Sequence, residues 1–229
     1  MSTVLLLEQD LKTKQISLKR GTNTPAVYVS AHKQIKLALA ELDIPINKKV
    51  IVLIGGAGGI GVFDKFAMRK AVRIIAKLAE KTKAIVIDGG TQAGIMSEIG
   101  KQRKRNHFSF PLIGVVFDKL LKQEEPKKIL DANHTHFILI PGDAWGDESS
   151  WIAKIATVVT GKEKSITVLI NGGKISAQDV NHSKKENRAV FVMRGTGRLA
   201  DSITLTYKLT PVYISEPSKM IQAQLQEKM

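Results

Sequence analysis

Cysteine is absent from the 229 residues, which excludes disulfides, thiolate metal sites and cysteine nucleophiles together. No apolar run approaches the ~18 residues that a membrane-crossing helix requires, and the longest, such as Val50 to Ile54, have the length of a buried strand. The first ten residues hold only Val4 to Leu7 as an apolar stretch, with no basic residue before it and Glu8 and Asp10 after it. That pattern fails as a secretory signal, so a cytoplasmic protein without membrane insertion is expected. Aromatics are 5% of the chain and nowhere interleave with basic residues as a base-stacking surface for single strands would. Acidic residues are also in deficit, 21 against 35 Lys plus Arg, for a net charge of +14 and a pI near 9.9. Such an excess attracts polyanions, nucleic acid and phosphorylated ligands alike. The nucleic-acid reading rests on this charge alone and requires binding that falls steeply with salt.

What remains is an ordinary globular composition, 43% hydrophobic and 24% charged, in a chain of single-domain length. From residue 48 a unit recurs in which a short apolar run leads into a glycine-rich turn and then a stretch of helical spacing. The runs are Val50 to Ile54, Ala84 to Ile87, Leu112 to Phe117, Phe137 to Ile140, Ile166 to Ile170 and Ala189 to Met193. Continuously apolar strands alternating with helices predict an α/β fold, a Rossmann-like, doubly wound, mostly parallel sheet with helices on both faces. Residues 48–208 form this core. Residues 1–47 read as an elaboration packed on it, with a strand at Ala26 to Val29 and a helix at Ala31 to Leu42. Residues 209–229, interrupted by Pro211 and Pro217, read as a tail or docking helix.

In the helix after the first glycine turn, Phe66, Ala67, Ala71, Ile74, Ile75 and Leu78 share one side, predicted to pack on the sheet. Lys65, Arg69, Arg73 and Lys77 form a stripe of like charges at four-residue steps, either a solvated face or a surface for an anionic partner.

Most of the 18 glycines lie in turns that follow predicted strands. A glycine turn opening a helix aims unpaired N–H groups and the positive dipole end at an anion. In an open parallel sheet such turns gather at the carboxyl edge of the strands, so together they predict one nucleotide-sized crevice. The candidate binding residues are Gly55, Gly56, Ala57, Gly58 and Gly59; Asp88, Gly89, Gly90, Thr91 and Gly94; Gly142, Asp143, Trp145 and Gly146; Asn171, Gly172 and Gly173; and Gly195, Thr196, Gly197 and Arg198. Gly56 to Gly61 satisfies G-x-G-x-x-G, a short pattern that also arises where a helix merely packs tightly. No Gly-Lys-Ser or Gly-Lys-Thr follows, which disfavours a P-loop triphosphatase. Gly-x-Ser-x-Gly is absent, which disfavours an α/β-hydrolase.

The succession of Ile54 to Gly59, Ile87 to Met96, Pro111 to Val116, Leu130 to Leu139, Asn171 to Gly173 and Arg194 to Gly197 resembles the SLOG (LSDAT) superfamily. Within it the chain is most similar to the prokaryotic branch akin to the cytosolic N-terminal region of melastatin-type TRP channels. The resemblance implies a Rossmann-like domain that binds nucleotide derivatives, ADP-ribose-like molecules especially, as a sensor without a required cofactor and sometimes as a symmetric homo-oligomer. It also implies that the turns at 55–59, 88–91 and 195–198 cradle phosphates and ribose, with Arg198 adding a charge-assisted contact. Another SLOG branch hydrolyses nucleoside monophosphates with Pro-Gly-Gly-x-Gly-Thr and a nearby glutamate. Here that place reads Pro141-Gly-Asp-Ala-Trp-Gly-Asp-Glu148. If the chain were such an enzyme, Glu148 or Asp147 would be the catalytic carboxylate. Asp147 alternatively caps the helix that begins there, and Trp145 either stacks on a base or fills the core.

His134 and His136 would face one side of an extended strand, but no third metal ligand is evident, and a hydrogen-bonded structural role is preferred. Asp201 reads as helix-start electrostatics.

Overall fold

Apolar runs flanked by glycine bury alternate residues on opposite sides, and here that alternation splits the interior into two cores. The computed structural model describes residues 11–56, 62–206 and 208–229. In chain order its elements begin β1 (Lys14–Ser17), β2 (Asn23–Tyr28), α1 (Ile35–Glu41), β3 (Val50–Gly55), α2 (Val62–Thr82), β4 (Ile85–Asp88) and α3 (Gly94–Arg105). They continue with β5 (Leu112–Phe117), α4 (Asp118–Gln123), α5 (Pro126–Ile129), β6 (His136–Ile140), α6 (Glu148–Thr160) and β7 (Ser165–Ile170). The last are α7 (Lys174–Lys185), β8 (Ala189–Arg194), α8 (Leu199–Ser202), β9 (Leu209–Tyr213) and α9 (Ser218–Gln226). Among the described residues the strands form one nine-stranded sheet in the order β1-β2-β6-β5-β4-β3-β7-β8-β9. Only the β1–β2 pair is antiparallel. Val50, Val52 and Ile54 of β3 join the core shared with α1 and α6, whereas Ile51 and Leu53 join the core shared with α2, α3 and α9. This is the doubly wound architecture expected. No helix among the described residues is long and apolar enough to cross a membrane.

The strand order reverses between β3 and β7. The chain leaves β3 through α2 on one face and reaches β7 from α6 on the other, so the carboxyl ends of these neighbouring strands open a crevice. Two close approaches keep that edge tight. A Cβ on Gly55 would lie 2.0 Å from the Ile170 carbonyl oxygen, and Gly90 and Gly114 leave room for the Phe137 ring, 2.9 Å and 2.6 Å from their would-be Cβ atoms.

Residues 209–229, read as a tail or docking helix, hold a ninth strand as well as a helix packed on the core. Leu209 to Tyr213 extend the sheet as β9, with Pro211 opposite Val192. Proline is admissible there because β9 is an edge strand and its outward side needs no N–H. The Lys70 ammonium donates to the carbonyls of Ile214 (2.6 Å) and Glu216 (3.0 Å), and Ile221 and Leu225 of α9 complete the core beside α2. Phe66, expected on the sheet side of α2, is instead 67% exposed. Its neighbours Lys65, Arg69 and Arg73 are exposed as the stripe predicts, with Arg69 4.0 Å from Glu98.

Candidate functional site

At the carboxyl edge the turns after β3, β4, β7 and β8 and the start of α6 enclose a cleft of about 720 Å³, within the roughly 300–1,000 Å³ usual for small-molecule sites. Of the residues singled out in the sequence, Gly55, Gly56, Gly89, Thr91, Trp145, Glu148, Gly173 and Arg198 line it. Ala57, Gly58 and Gly59 lie outside the described residues.

Arg198 occupies the switch point. Would-be Cβ atoms on Gly56 and Gly173 would lie 3.3 Å and 2.7 Å from its guanidinium nitrogens, so the group spans the turns after β3 and β7. Its backbone is held at φ +51°, ψ −130°, a conformation that costs a non-glycine residue of order 1–3 kcal/mol and persists only when its surroundings enforce it. They do so through a knot of polar groups in which Asn171 and Thr196 are buried behind the cleft and Asp201 is exposed. Asn171 donates from its backbone N–H to Thr196 Oγ1 (2.8 Å) and from Nδ2 to the Thr196 carbonyl (2.7 Å). Thr196 Oγ1 donates to the Met193 carbonyl (2.6 Å), and Asp201 accepts the N–H groups of Gly195 (2.6 Å) and Gly197 (2.9 Å). Asn171, Gly172, Gly195, Thr196 and Gly197 therefore shape the crevice without lining it, and Asp201 fastens the turn rather than only marking a helix start.

Asp88 is likewise behind the wall. Fully buried, its Oδ1 accepts the Gly90 N–H (2.7 Å) and faces His134 Nε2 at 2.8 Å, while His134 Nδ1 faces Asp131 Oδ1 at 3.3 Å. Burial alone would depress the His134 pKa. The two carboxylates outweigh it and raise the value to about 9, so the imidazole is charged at neutral pH. His136 lies apart from this triad, its Nδ1 2.8 Å from the Thr135 hydroxyl, so the two histidines do not converge.

Asp143 is exposed and paired with Lys119 at 2.9 Å. Gly142 and Gly146 close against Phe117 and Gln178, and Gly94 is the first residue of α3. Asp147 precedes α6 but its side chain does not cap it. Its Oδ2 accepts the N–H groups of Asp143 (2.7 Å) and Ala144 (3.0 Å), which hold its pKa below the usual range and fold the 142–146 loop. Glu148 is different. Burial pushes its pKa up, against a hydrogen bond from the Gly146 N–H (2.9 Å), and it faces the cleft. Trp145 is 53% exposed and stands edge-on to Phe117 with ring centroids 5.4 Å apart, so it is a wall of the cleft rather than core.

The sequence reading missed the contribution of α7. Lys174, Ile175, Ser176 and Asp179 line the cleft, as do Gln92, Met96 and Lys128. The signal was available, because Ser176 and Asp179 are three apart on the helix that opens after Gly173 and share one face. Burial raises the Asp179 pKa to about 7, assisted by the charge of Glu148 and opposed by Ser149. Gly89 also lines the cleft, and a Cβ there meets nothing within 4 Å. Gly89→Ala is expected to leave stability within about 0.5 kcal/mol of the parent, checked by urea unfolding.

The model of the family described as SLOG in TRPM, prokaryote, matches residues 48–228. Transient receptor potential cation channel subfamily M member 2 of Rattus norvegicus is 22% identical over 233 residues of alignment, covering 83% of this chain and 15% of the channel. Its Mus musculus counterpart gives the same identity and coverage, so the chain spans only a small part of these relatives. Among solved structures, the X-ray structure of the structural genomics target TM1055 superposes with a TM-score of 0.55 at 16% identity, covering 76% of this chain and 99% of that one. This likeness is one of fold. With the family model spanning most of the chain, the protein belongs to the prokaryotic family of SLOG domains related to those of TRPM channels.

Proposed function

We propose that this SLOG domain binds a nucleotide derivative of the ADP-ribose type in the carboxyl-edge cleft and acts as a ligand sensor. The observation that carries the reading is the Arg198 guanidinium held across Gly56 and Gly173 at the switch point. There the backbone N–H groups at the start of α7 and a planar cation converge on one place, the arrangement that recognises phosphate. Lys174 and Lys128 add positive charge to the lining, and Trp145 offers an aromatic face. Titration calorimetry with ADP-ribose tests it. Arg198→Ala is expected to weaken binding about tenfold to a hundredfold, the ~1.5–3 kcal/mol of a hydrogen bond to a charged group. Equal affinity in parent and variant would sink the reading.

A second reading is supported by Glu148 and Asp179, two carboxyls of raised pKa in the same cleft. Such groups can stabilise an oxocarbenium-like centre and activate water in cleaving an N-glycosidic bond. Chromatography of nucleoside monophosphate after incubation decides between the two. Intact nucleotide supports the sensor, whereas free base that disappears in Glu148→Gln supports the hydrolase.

A further inference from the structure

Asp179 sits on α7 where that helix packs against α6, 9% exposed yet part of the cleft lining. Its Oδ1 is enclosed and makes no hydrogen bond of good geometry, with the Ser149 hydroxyl, 1% exposed, as a donor beside it that holds the carboxyl's pKa down. A buried polar group without a well-made hydrogen bond is costly, so a carboxyl that lines a cleft calls for a donor from whatever fills the cleft. Three observations narrow that donor. The carboxyl pair Asp179 and Glu148 offers a phosphate no cation, so phosphate belongs at Arg198. Between the two poles the walls are apolar, Ile152 from α6 and Ile175 from α7, with Trp145 beside them, and such a slot takes a flat ring. From Gly173 to Asp179 the helix rises about 9 Å at 1.5 Å per residue, farther than the ribose of a nucleotide reaches from its first phosphate and about where the base edge falls.

We propose that Asp179 is the specificity residue of the cleft, and that its carboxyl hydrogen-bonds the amino-bearing edge of a nucleobase whose phosphate end is held at Arg198. This rests on the nucleotide reading above and adds the part of the ligand that is discriminated. A protonated carboxyl group pairs at two points with an edge that carries an amino group beside a ring nitrogen, its O–H donating to the ring nitrogen and its carbonyl oxygen accepting from the amino group. A purine lacking the amino group leaves the buried oxygen as it is in the free protein, and loss of one such pairing is read as a large loss of affinity.

The test is calorimetric titration of the parent and of Asp179→Leu with ADP, with purine riboside 5′-diphosphate, which lacks only the amino group, and with inorganic pyrophosphate. The parent is expected to bind ADP ten- to a hundredfold more tightly than the purine analogue. Asp179→Leu is expected to bind both nucleotides with the weaker affinity and pyrophosphate unchanged, and Asp179→Asn, which keeps a donor and an acceptor, to restore the preference for ADP. Equal affinity of the parent for ADP and the analogue overturns the proposal without recourse to any variant. An equal loss for pyrophosphate and ADP in Asp179→Leu also overturns it, by making the residue structural. Binding of none of the three to the parent overturns it together with the nucleotide reading, whereas ADP binding without discrimination leaves that reading intact.

Discussion

Replacing His134 with leucine is expected to destabilise the protein by about 3–5 kcal/mol, because it strands two buried carboxylates that the imidazolium now compensates. Leucine keeps the contact with Phe137, whose ring centroid lies 5.5 Å from that of His134, so the loss reports charge more than volume. The triad also gives the parent a pH signature whose sign is fixed. The folded pKa of His134 stands near 9 against an ordinary 6.5, so its contribution is complete below pH 6.5. That contribution declines as pH rises and is gone above about 9. The difference corresponds to about 3 kcal/mol. Urea unfolding between pH 6 and pH 10 should show this decline in the parent and a flatter profile in His134→Leu. An unchanged slope in the variant would show that the triad is not its source.

Gly55→Ala is expected to cost about 3 kcal/mol or more, at or beyond the upper end of overpacking penalties. Its methyl group would meet a backbone oxygen, that of Ile170, at 2.0 Å and the Ile95 Cδ1 at 2.8 Å. The carbonyl belongs to the β3–β7 pairing and cannot withdraw without opening the sheet at its switch point. Gly173→Ala is the useful contrast. Its methyl group meets only the end of the Arg198 side chain, at 2.7 Å, so unfolding midpoints should fall markedly for Gly55→Ala and little for Gly173→Ala. Binding of ADP-ribose should instead weaken in Gly173→Ala as the guanidinium is pushed aside. A large loss of stability in Gly173→Ala would count against the assignment of these two glycines to different tasks.

This contrast also explains how far the sequence could be read. Strand type, the doubly wound parallel sheet and the crevice at its carboxyl edge follow from apolar runs and glycine turns, because burial on both faces and chain reversal are local demands, whereas the order of the strands does not. Glycine alone does not tell a packing contact from a ligand contact, which is why Gly90, Gly142 and Gly146 entered the candidate site although they face protein. Asp88, Asn171 and Thr196 misled for a related reason. A polar residue at the end of a parallel strand can point into the crevice or knit adjacent turns behind it, and the choice depends on partners remote in sequence such as His134. Asp179 was marked only by its spacing from Ser176 on the helix after Gly173, a weak signal that many solvated helix faces share, and the packing of α7 on α6 is what makes it buried. β9 was obscured by Pro211, which forbids a central strand but not an edge one.

Leu53 and Ile54 are successive residues that both line the cleft, yet one belongs to the core under α2 and α3 and the other to the core under α6. The two interiors are separated by the sheet, and regions so divided can open as separate cooperative units. A molecule seated at the end of β3 touches both through neighbouring side chains. Occupancy would then tie two local unfolding reactions into one, and amide hydrogen exchange should slow together in α2 and α3 on one side and in α6 and α7 on the other.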